Sequence, residues 1–583
     1  LQDELSLGSF ASPMDYCFGP HTLGAFRQWL RREYGSLEAL NREWETAFSS
    51  WEEVEPMTTY EVKDRERKAL AAGGLENYAP WADHRAFMDL TFAQTLARLK
   101  AIIRTMDPTT PVGIEGTQMP SAWGGYDLWR LAQEVDWVEP YDIANSREIF
   151  RSFLPSSALL LSTVFGSDFS AIRRKLWRLL LHGDRGCIVW DDEKSRCIEK
   201  TKEGMPITER GKGLAPIFAE LKRFAPLLFG LERVDDRIAI HYSQASIRAH
   251  WMFDSREDGD TWPRRFSSYE AAHSRLAQVR ESFVKVIEDL GLQYRFVSYE
   301  QIEKGELLKE GYRVLLLPQS VAMSSKECEQ VRAFVQAGGM VIADNMTATM
   351  DEHCRRLPQG QLDDLFGLRR RSVGWRPQGE GGTLPALVPG SEPLTVFEPD
   401  LSLTTGKARF PSAKAPAVIE NRWGKGRTVY LNLDLREYRQ WRLSPPKGDG
   451  LRELFRQLLQ EAGMEAPVKV FQEGAQRLAD AVEVWRYRGQ GAEYVAVMRN
   501  ADSSAAAWER PERVRILFPH RASVREIRTG QAFGLVQEVS LELEPFSPLL
   551  FELRRGGASP KTRGKPSMRK TASLLESPFR RGS

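Results

Sequence analysis

Acidic side chains follow short apolar segments several times in the first half of the chain, and they are the groups best placed to do chemistry. In α/β proteins the carboxyl ends of parallel strands carry the functional residues. A pair of carboxyl groups there suits glycoside hydrolysis, because one donates a proton to the leaving oxygen and the other attacks the anomeric carbon or activates water. The candidates are Glu4, Glu115, Glu139, Asp142, Asp168, Asp191 and Asp192, with the aromatic residues Tyr141 and Trp190 beside them.

Each of these carboxylates also has a structural interpretation as a solvated loop residue or a helix cap. Asp168 directly precedes an amphipathic segment, and its position favours an N-cap. His241 and His250 fall at the start of a second α/β region, where packing or a contact between subunits explains them better than catalysis. Cys328 is predicted on a helix and lacks the strand–elbow–helix context of a nucleophile.

Apolar strands that alternate with helices predict a parallel sheet built from βα units. Helices are predicted over residues 87–106, 126–135, 170–183 and 208–230, with a further helix over 268–291 in a second α/β region, and strand ends near residues 4, 115, 139, 165 and 191. These ends count as five units, whereas a closed (β/α)8 barrel has eight. The expectation is a partial barrel, about strands 4–8, that lacks its first three units, with Glu4 at the end of a strand.

Three further regions follow the partial barrel in the predicted fold, which is α/β overall. The first of these regions has a doubly wound α/β pattern without the GxGxxG motif of dinucleotide-binding proteins. Its segment Gly424-Lys425-Gly426 is predicted to turn a hairpin rather than bind phosphate. Short alternating runs then predict a small antiparallel β-domain. The predicted boundaries are 1–233 for the barrel part, 234–465 for the second domain with a β insertion at about 355–430, 466–554 for the β-domain, and 555–583 for a basic disordered tail.

The composition argues against several classes of partner. The formal net charge is only +2, and residues 556–583 are so basic that the remainder is net negative, which gives no electrostatic case for nucleic acid. No apolar run approaches the roughly 20 residues that span a bilayer. The 5 cysteines show no CxxC spacing, so neither a metal site nor a disulfide framework is predicted. A signal peptide would lie upstream of residue 1, which leaves the compartment open.

The segment TLGAFRQWLRREYGSLEALNREWETAFSSWEEV (22–54) resembles the helix that follows the acid/base strand in glycoside hydrolase family 42, the β-galactosidases. The second domain resembles that family's trimerisation domain, a module similar to class I glutamine amidotransferases, and 416–431 resembles its closing strands. The matching residues in the first segment are Phe26, Arg27, Trp29, Leu30, Tyr34, Gly35, Leu37, Leu40, Asn41 and Trp44.

The resemblance implies that Glu4 is the acid/base. The family pattern is Asn-Glu, whereas this chain has Asp3-Glu4; Asp3 still accepts a hydrogen bond from a sugar hydroxyl but places a like charge beside the acid. The family carries its nucleophile at the end of the seventh strand, where this chain offers Ser162 and Thr163 and no Glu. Glu139, on the neighbouring strand, is the preferred substitute, and Glu115, Asp191 and Asp192 on other strands are the alternatives.

The resemblance further implies a β-galactoside or related glycoside as substrate, no cofactor, and a homotrimer if the barrel is complete. Some relatives bind a structural zinc through cysteines, but the cysteine spacing here does not support one. The expected substrate-binding residues are Asp3, Glu115, Tyr141, Trp190 and Asp191. One alternative is a carbohydrate-binding or assembly protein of the same fold with impaired catalysis. Another, an amidotransferase-like hydrolase using the second domain, requires a Cys at a strand–helix elbow, and the sequence has none there.

Overall fold

The computed structural model describes residues 4–8, 11–191, 196–202, 204–410, 414–489, 491–501 and 508–555. The α-helices are α1 (Pro20–Tyr34), α2 (Leu37–Trp44), α3 (Thr59–Ala71), α4 (Ala79–Met106), α5 (Leu128–Glu134), α6 (Ser146–Phe153), α7 (Phe169–His182), α8 (Glu209–Phe229), α9 (Gln244–Asp254), α10 (Ser267–His273), α11 (Arg275–Asp289), α12 (Tyr299–Glu303), α13 (Glu306–Lys309), α14 (Ser325–Ala337), α15 (Asp363–Phe366), α16 (Tyr438–Trp441) and α17 (Asp449–Glu461). The predicted disordered tail lies outside the described residues.

The strands form three larger sheets and two short ribbons. They are β1 (Gly113–Thr117), β2 (Trp137–Pro140), β3 (Leu159–Val164), β4 (Gly186–Val189), β5 (Glu232–Arg233), β6 (Ile238–Tyr242), β7 (Arg295–Ser298), β8 (Val314–Leu317), β9 (Met340–Asp344), β10 (Leu368–Arg370), β11 (Gly382–Leu384), β12 (Leu394–Val396), β13 (Leu401–Leu403), β14 (Lys407–Ala408), β15 (Val418–Trp423), β16 (Gly426–Leu431), β17 (Lys469–Gln472), β18 (Val482–Gly489), β19 (Ala492–Arg499), β20 (Glu512–Glu526), β21 (Ala532–Leu543) and β22 (Leu549–Arg554).

The first sheet contains β1 to β4 in chain order, and every neighbouring pair is parallel. Ile114, Val138 and Leu160 are buried in the core that packs against the helices. Side chains alternate between the faces of a strand, so Glu115 and Glu139 lie on the opposite face, together with residues at the carboxyl ends of the strands. This alternation explains why apolar strands also carry carboxylates.

The expectation of a fifth strand ending at Glu4 is wrong for the described residues. Residues 4–8 form turns and bends, and Glu4 has a φ of 51°, in the left-handed region. The segment is held by the loop after β1: Tyr126 Oη donates to the Leu5 carbonyl (2.8 Å), and Leu7 N–H donates to the Gly124 carbonyl (3.0 Å). Glu4 is therefore positioned by long-range contacts and not by a strand.

Helix ends follow local capping chemistry. The Asp168 carboxylate accepts hydrogen bonds from Ser170 N and Ala171 N at the start of α7, both at 3.0 Å, which confirms the predicted cap. The single helix expected near 268–291 is instead two helices, α10 and α11. The break falls at Ser274, whose hydroxyl accepts from Ala277 N and begins the second helix.

The second sheet has the order β14-β15-β16-β9-β8-β6-β7. Its strands from β16 to β7 pair in parallel, whereas β14 and β15 form an antiparallel extension. The β15–β16 hairpin turns at Gly424, whose φ of 57° suits glycine, and this confirms the predicted hairpin around GKG. The sheet is covered by α11 on one face and by α14 on the other.

The third sheet is antiparallel, with the order β17-β20-β22-β19-β18-β5 and β21 paired to β20. Its first strand in sequence, β5, comes from the segment just before the second sheet and pairs with β18 through Tyr487 and Arg488. The chain therefore contributes to the third sheet before it enters the second. Among the described residues, no helix is both long and apolar enough to cross a membrane.

Candidate active site

Three aromatic side chains lie at the carboxyl ends of adjacent strands in the first sheet. Tyr141 follows β2, Phe165 follows β3 and Trp190 follows β4. The ring centroids are 6.4 Å apart for Tyr141 and Phe165, and 6.0 Å apart for Phe165 and Trp190. Phe165 is 49% exposed and Trp190 is 45% exposed. We call these three residues the aromatic row.

Glu4 lies against one end of the aromatic row. The Tyr141 hydroxyl donates a hydrogen bond of 2.7 Å to Glu4 Oε1, across 137 positions of sequence. Glu4 is half-buried, so its carboxyl group is oriented by a fixed donor yet remains accessible. This arrangement suits a group that must present a proton to a bound ligand.

Glu139 lies on β2, two residues before Tyr141. Its side chain is only 1% exposed, and Oε2 accepts a hydrogen bond of 2.8 Å from Gly116 N. Gly116 sits at an irregularity of β1 with a φ of 62°, which turns its N–H toward the neighbouring strand. Oε1 is buried as well and has no hydrogen-bond partner among the described residues.

The other predicted carboxylates have different surroundings. Glu115 is half-buried on the same face of the sheet as Glu139. Asp142 lies 3.9 Å from Arg147 and 4.0 Å from Arg178. Asp191 is exposed and accepts a hydrogen bond of 2.8 Å from Cys197 N. Asp3 and Asp192 lie outside the described residues.

The end of β3, where the resemblance places a nucleophile, carries no carboxylate. Ser162 faces the helical side, and its hydroxyl donates 2.6 Å to Asp184 Oδ2. Asp184 also accepts from Arg147 at 2.9 Å, and burial outweighs that pairing and raises the pKa of Asp184 to about 6. Thr163 is buried as well, and the next residue on its face is Phe165. An aromatic ring therefore stands near the position where an acid was expected.

A second group of charged residues lies where α6, α7, α11 and β18 meet. Lys285 Nζ is 3.0 Å from Glu288 Oε2, and Tyr294 donates 3.0 Å to Glu288 Oε1. Asn500 Nδ2 donates to Glu288 (2.7 Å) and to Glu483 (3.1 Å). We call this group the interdomain cluster; its members are Glu148, Arg178, His182, Lys285, Glu288, Glu483 and Asn500.

His182, Glu288 and Glu483 are close enough that their ligand atoms lie within 4.8 Å of one another. Both oxygens of Glu288 already accept hydrogen bonds. The Lys285 ammonium group supplies the positive charge that a metal ion would otherwise provide. The pKa of Glu288 is lowered because Lys285 and Arg178 outweigh its burial. We therefore interpret the group as a charge-compensated hydrogen-bond network.

The second α/β region contains a buried polar network but no cysteine at its strand ends. His241 Nδ1 lies 2.9 Å from Ser320 Oγ, and His241 Nε2 lies 2.9 Å from Glu327 Oε1. In the turn after β8, the residue with a left-handed backbone conformation is Gln319, with a φ of 46°, and not a cysteine. Cys328 lies buried on α14, and burial raises the pKa of its thiol. The packing interpretation of His241 and the exclusion of Cys328 are both supported.

Phe165 is the member of the aromatic row that the sequence did not single out. Its signal was an aromatic residue between a buried strand and Gly166, the same pattern that Trp190 shows after β4. Trp190 and Tyr141 were predicted, and the structure brings both of them to the same edge of the sheet. Whether these residues bind a ligand is taken up below as a proposal.

Two family models match the chain. Residues 10–167 match the glycoside hydrolase family 42 model described as "Beta-galactosidase". Residues 260–465 match the model described as "Beta-galactosidase trimerisation domain". The first match covers the helices α1 to α6 and the strands β1 to β3.

Curated relatives agree with these matches. The chain is 21% identical over 533 residues to the β-galactosidase BglY of Alicyclobacillus acidocaldarius, covering 83% of this chain and 70% of BglY. It is 22% identical over 468 residues to the β-galactosidase bgaB of Geobacillus kaustophilus, covering 72% of this chain and 63% of bgaB. The matches thus span roughly two thirds of the length of these relatives.

Solved structures support the fold. The β-galactosidase from Bacillus circulans sp. alkalophilus superimposes with a TM-score of 0.63 at 17% identity, covering 93% of this chain and 78% of that one. The β-galactosidase from Rahnella sp. R3 gives a TM-score of 0.63 at 16% identity, covering 92% and 76%. The architecture is a TIM-barrel-like α/β fold followed by a β-domain, and the chain is a β-galactosidase-like protein of glycoside hydrolase family 42.

Proposed function

We propose that the protein is a glycoside hydrolase that acts on β-galactosides or closely related glycosides. Its membership of family 42 supports this activity. The observation within the site that carries the proposal is the Glu4 carboxyl group, which Tyr141 orients beside the exposed aromatic row. A proton donor next to aromatic faces meets the two needs of glycoside cleavage: protonation of the leaving oxygen and a surface that positions the sugar.

In this proposal Glu4 is the acid/base and Glu139 is the nucleophile. Glu139 offers one oxygen without a partner among the described residues, while Gly116 N–H fixes the other. The mechanism begins when Glu4 gives its proton to the leaving oxygen as Glu139 Oε1 attacks the anomeric carbon. Glu4 then takes a proton from water, which releases the sugar from Glu139.

The remaining proposed roles concern substrate binding. Glu115 and Tyr141 lie on the face of the sheet that carries Glu139, Trp190 forms the far end of the aromatic row, and Asp191 follows Trp190 directly. Asp3 precedes Glu4 in the sequence, and its carboxylate would accept a hydrogen bond from a sugar hydroxyl group. A retaining mechanism requires the carboxyl groups of Glu4 and Glu139 to lie about 5–5.5 Å apart in the working site.

We further propose that β1 to β4 correspond to the last strands of the barrel, and that the domains follow the boundaries 1–233, 234–465 and 466–554. The trimerisation-domain match indicates oligomerisation, and a homotrimer is the assembly we propose. The pairing of β5 with β18 suggests one refinement: residues 232–233 belong with the β-domain sheet.

The proposal is tested by hydrolysis of an alkyl β-galactoside, whose leaving oxygen needs protonation. Glu4→Gln keeps the size of the side chain and removes the exchangeable proton, so kcat/KM should fall by about 10²- to 10⁴-fold. Asp168→Asn is the matched control, because it removes a carboxylate that caps α7 in the loop after the neighbouring strand β3. The control should retain activity close to that of the unmodified protein.

The opposite result would also be informative. If the unmodified protein binds β-galactosides but Glu4→Gln and Asp168→Asn show the same rate, catalysis by Glu4 is excluded. A carbohydrate-binding or assembly role would then replace the hydrolase proposal.

A further inference from the structure

We propose that the aromatic row is a stacking platform for consecutive sugar rings, with Phe165 as its central element, so that the preferred ligand is an oligosaccharide and not a single glycosyl unit. This inference deepens the proposed function, since it rests on a carbohydrate ligand. It adds the length of that ligand and a specificity role for Phe165.

The exposure of the aromatic row is the first observation behind this inference. Phe26 and Phe150 are fully buried, whereas Phe165 is about half exposed. Keeping such a ring in water is unfavourable unless a ligand covers it. Neighbouring centroids are 6.4 Å and 6.0 Å apart, and the ring planes are inclined to each other by 64° and 40°, so the row is a faceted surface of three rings along the strand ends that is longer than one pyranose ring.

The rigidity of the aromatic row is the second observation. Arg210, on α8, donates from Nε to the Gly166 carbonyl at 2.9 Å and from Nη1 to the Trp190 carbonyl at 2.8 Å. Trp190 N–H also donates to the Val164 carbonyl at 3.0 Å. The backbones beside Phe165 and at Trp190 are thus tied together, and a preorganised surface loses less entropy when it binds a ligand.

The polar groups beside the row indicate the chemistry of the ligand. Glu4 touches Tyr141, and Glu115 and Glu139 lie on the same face of the sheet. Carboxylates accept hydrogen bonds from hydroxyl groups, whereas a purely apolar ligand would remove them from water without compensation. Flat apolar faces combined with acceptors match a saccharide, whose rings have an apolar face and hydroxyl edges.

The test measures binding in a Glu4→Gln background, where the proposed hydrolysis is blocked. Galactose and β-galacto-oligosaccharides of two to four units are titrated, and affinity is read by calorimetry and by the fluorescence of Trp190, checked with Trp190→Phe. We expect affinity to rise from the monosaccharide to the trisaccharide. Adding Phe165→Ala should weaken trisaccharide binding by about five- to tenfold, in line with the loss of one aromatic contact, and change galactose binding by less than about twofold.

Two controls keep the result interpretable. Phe229→Ala removes a ring of similar exposure (37%) at the end of α8, where it packs against Arg185 just before β4, and it should leave oligosaccharide binding unchanged. Phe165→Tyr keeps an aromatic face and should restore the preference for longer ligands. Thermal unfolding of each variant identifies a loss caused by misfolding.

Affinity that does not change with ligand length, or that Phe165→Ala leaves unaltered for every ligand, would overturn the inference. Failure of the proposed function would look different. A protein that binds longer saccharides more tightly through Phe165 but never cleaves them would retain the platform and lose the hydrolase assignment.

Discussion

The interdomain cluster and the strand-end site both gather carboxylates, but they treat them in opposite ways. In the interdomain cluster, Glu288 accepts from Lys285, Tyr294 and Asn500, so both of its oxygens are in use. At the strand ends, the Glu4 carboxyl is held by the Tyr141 hydroxyl, and Glu139 keeps one oxygen without a partner among the described residues. The difference lies in the number of donors aimed at each oxygen.

This contrast separates a structural acid from a reactive one. A buried carboxylate with full hydrogen bonding and a nearby cation joins parts of the fold, and it has no capacity left for a ligand. A carboxylate with one fixed oxygen and one unpartnered oxygen is oriented and still has hydrogen-bonding capacity. We therefore expect substitutions in the interdomain cluster to change stability, and those at the strand ends to change activity.

Lys285→Met is the substitution expected to have the largest effect on stability. It leaves Glu288 buried without its nearest cation, and removing one partner of a buried ion pair costs about 3–5 kcal/mol of unfolding free energy. Lys304→Met is the matched control, since Lys304 is exposed and pairs with Glu300 one helical turn away. Its cost should stay below about 1 kcal/mol. Equal urea midpoints for the two variants would contradict the contrast.

Glu483→Gln should change how stability depends on pH. Burial, with Glu288 nearby, raises the pKa of Glu483 from 4.5 to about 7. Between these pH values the folded protein keeps a proton that the unfolded chain has released, so the contribution of Glu483 is full below pH 4.5 and is lost as pH rises to 7. The unfolding free energy of the unmodified protein minus that of Glu483→Gln should fall by roughly 1–3 kcal/mol over this range.

Guanidinium unfolding of both proteins across that pH range measures this difference. His182 also lies in the cluster, and burial together with Arg147 and Arg178 lowers its pKa, but it is present in both proteins. A difference that rises with pH would show that Glu483 is ionised in the folded state at low pH, contrary to the expectation.

Asp168→Ala should have the smallest effect on stability of the three substitutions. Asp168 follows a strand of the first sheet, but its carboxylate has a structural role. It removes the acceptor for Ser170 N and Ala171 N, which should cost about 1 kcal/mol of stability. Activity should remain within about twofold, because Asp168 serves the helix and not the ligand. A large loss of activity at unchanged stability would move Asp168 into the catalytic machinery.

The sequence predicted the elements of the first sheet because they depend on local pattern. Continuous apolar runs indicated β1 to β4, and Asp168 was recognisable as a cap from its place before an amphipathic segment. The break between α10 and α11 was missed because Ser274 can either continue a helix or cap a new one, and only the tertiary fold decides.

The site itself was less accessible to such reasoning. Glu4 was expected on a strand, but it is placed by contacts from Tyr141 and from the loop that contains Gly124 and Tyr126. No local pattern encodes a hydrogen bond across 137 positions. Phe165 was missed for a related reason: whether an aromatic residue after a strand is buried or exposed depends on what packs beyond the sheet.

The central claim is that Glu4 and Glu139 form the catalytic pair, and azide rescue of Glu139→Ala tests it most directly. With 2,4-dinitrophenyl β-galactoside, whose leaving group needs little protonation, the variant should be nearly inactive alone and recover activity with azide. Azide would attack from the face that Glu139 occupied and give the α-galactosyl azide, which proton NMR identifies. The β-galactosyl azide, or undiminished activity of Glu139→Ala without azide, would contradict the assignment of Glu139 as the nucleophile.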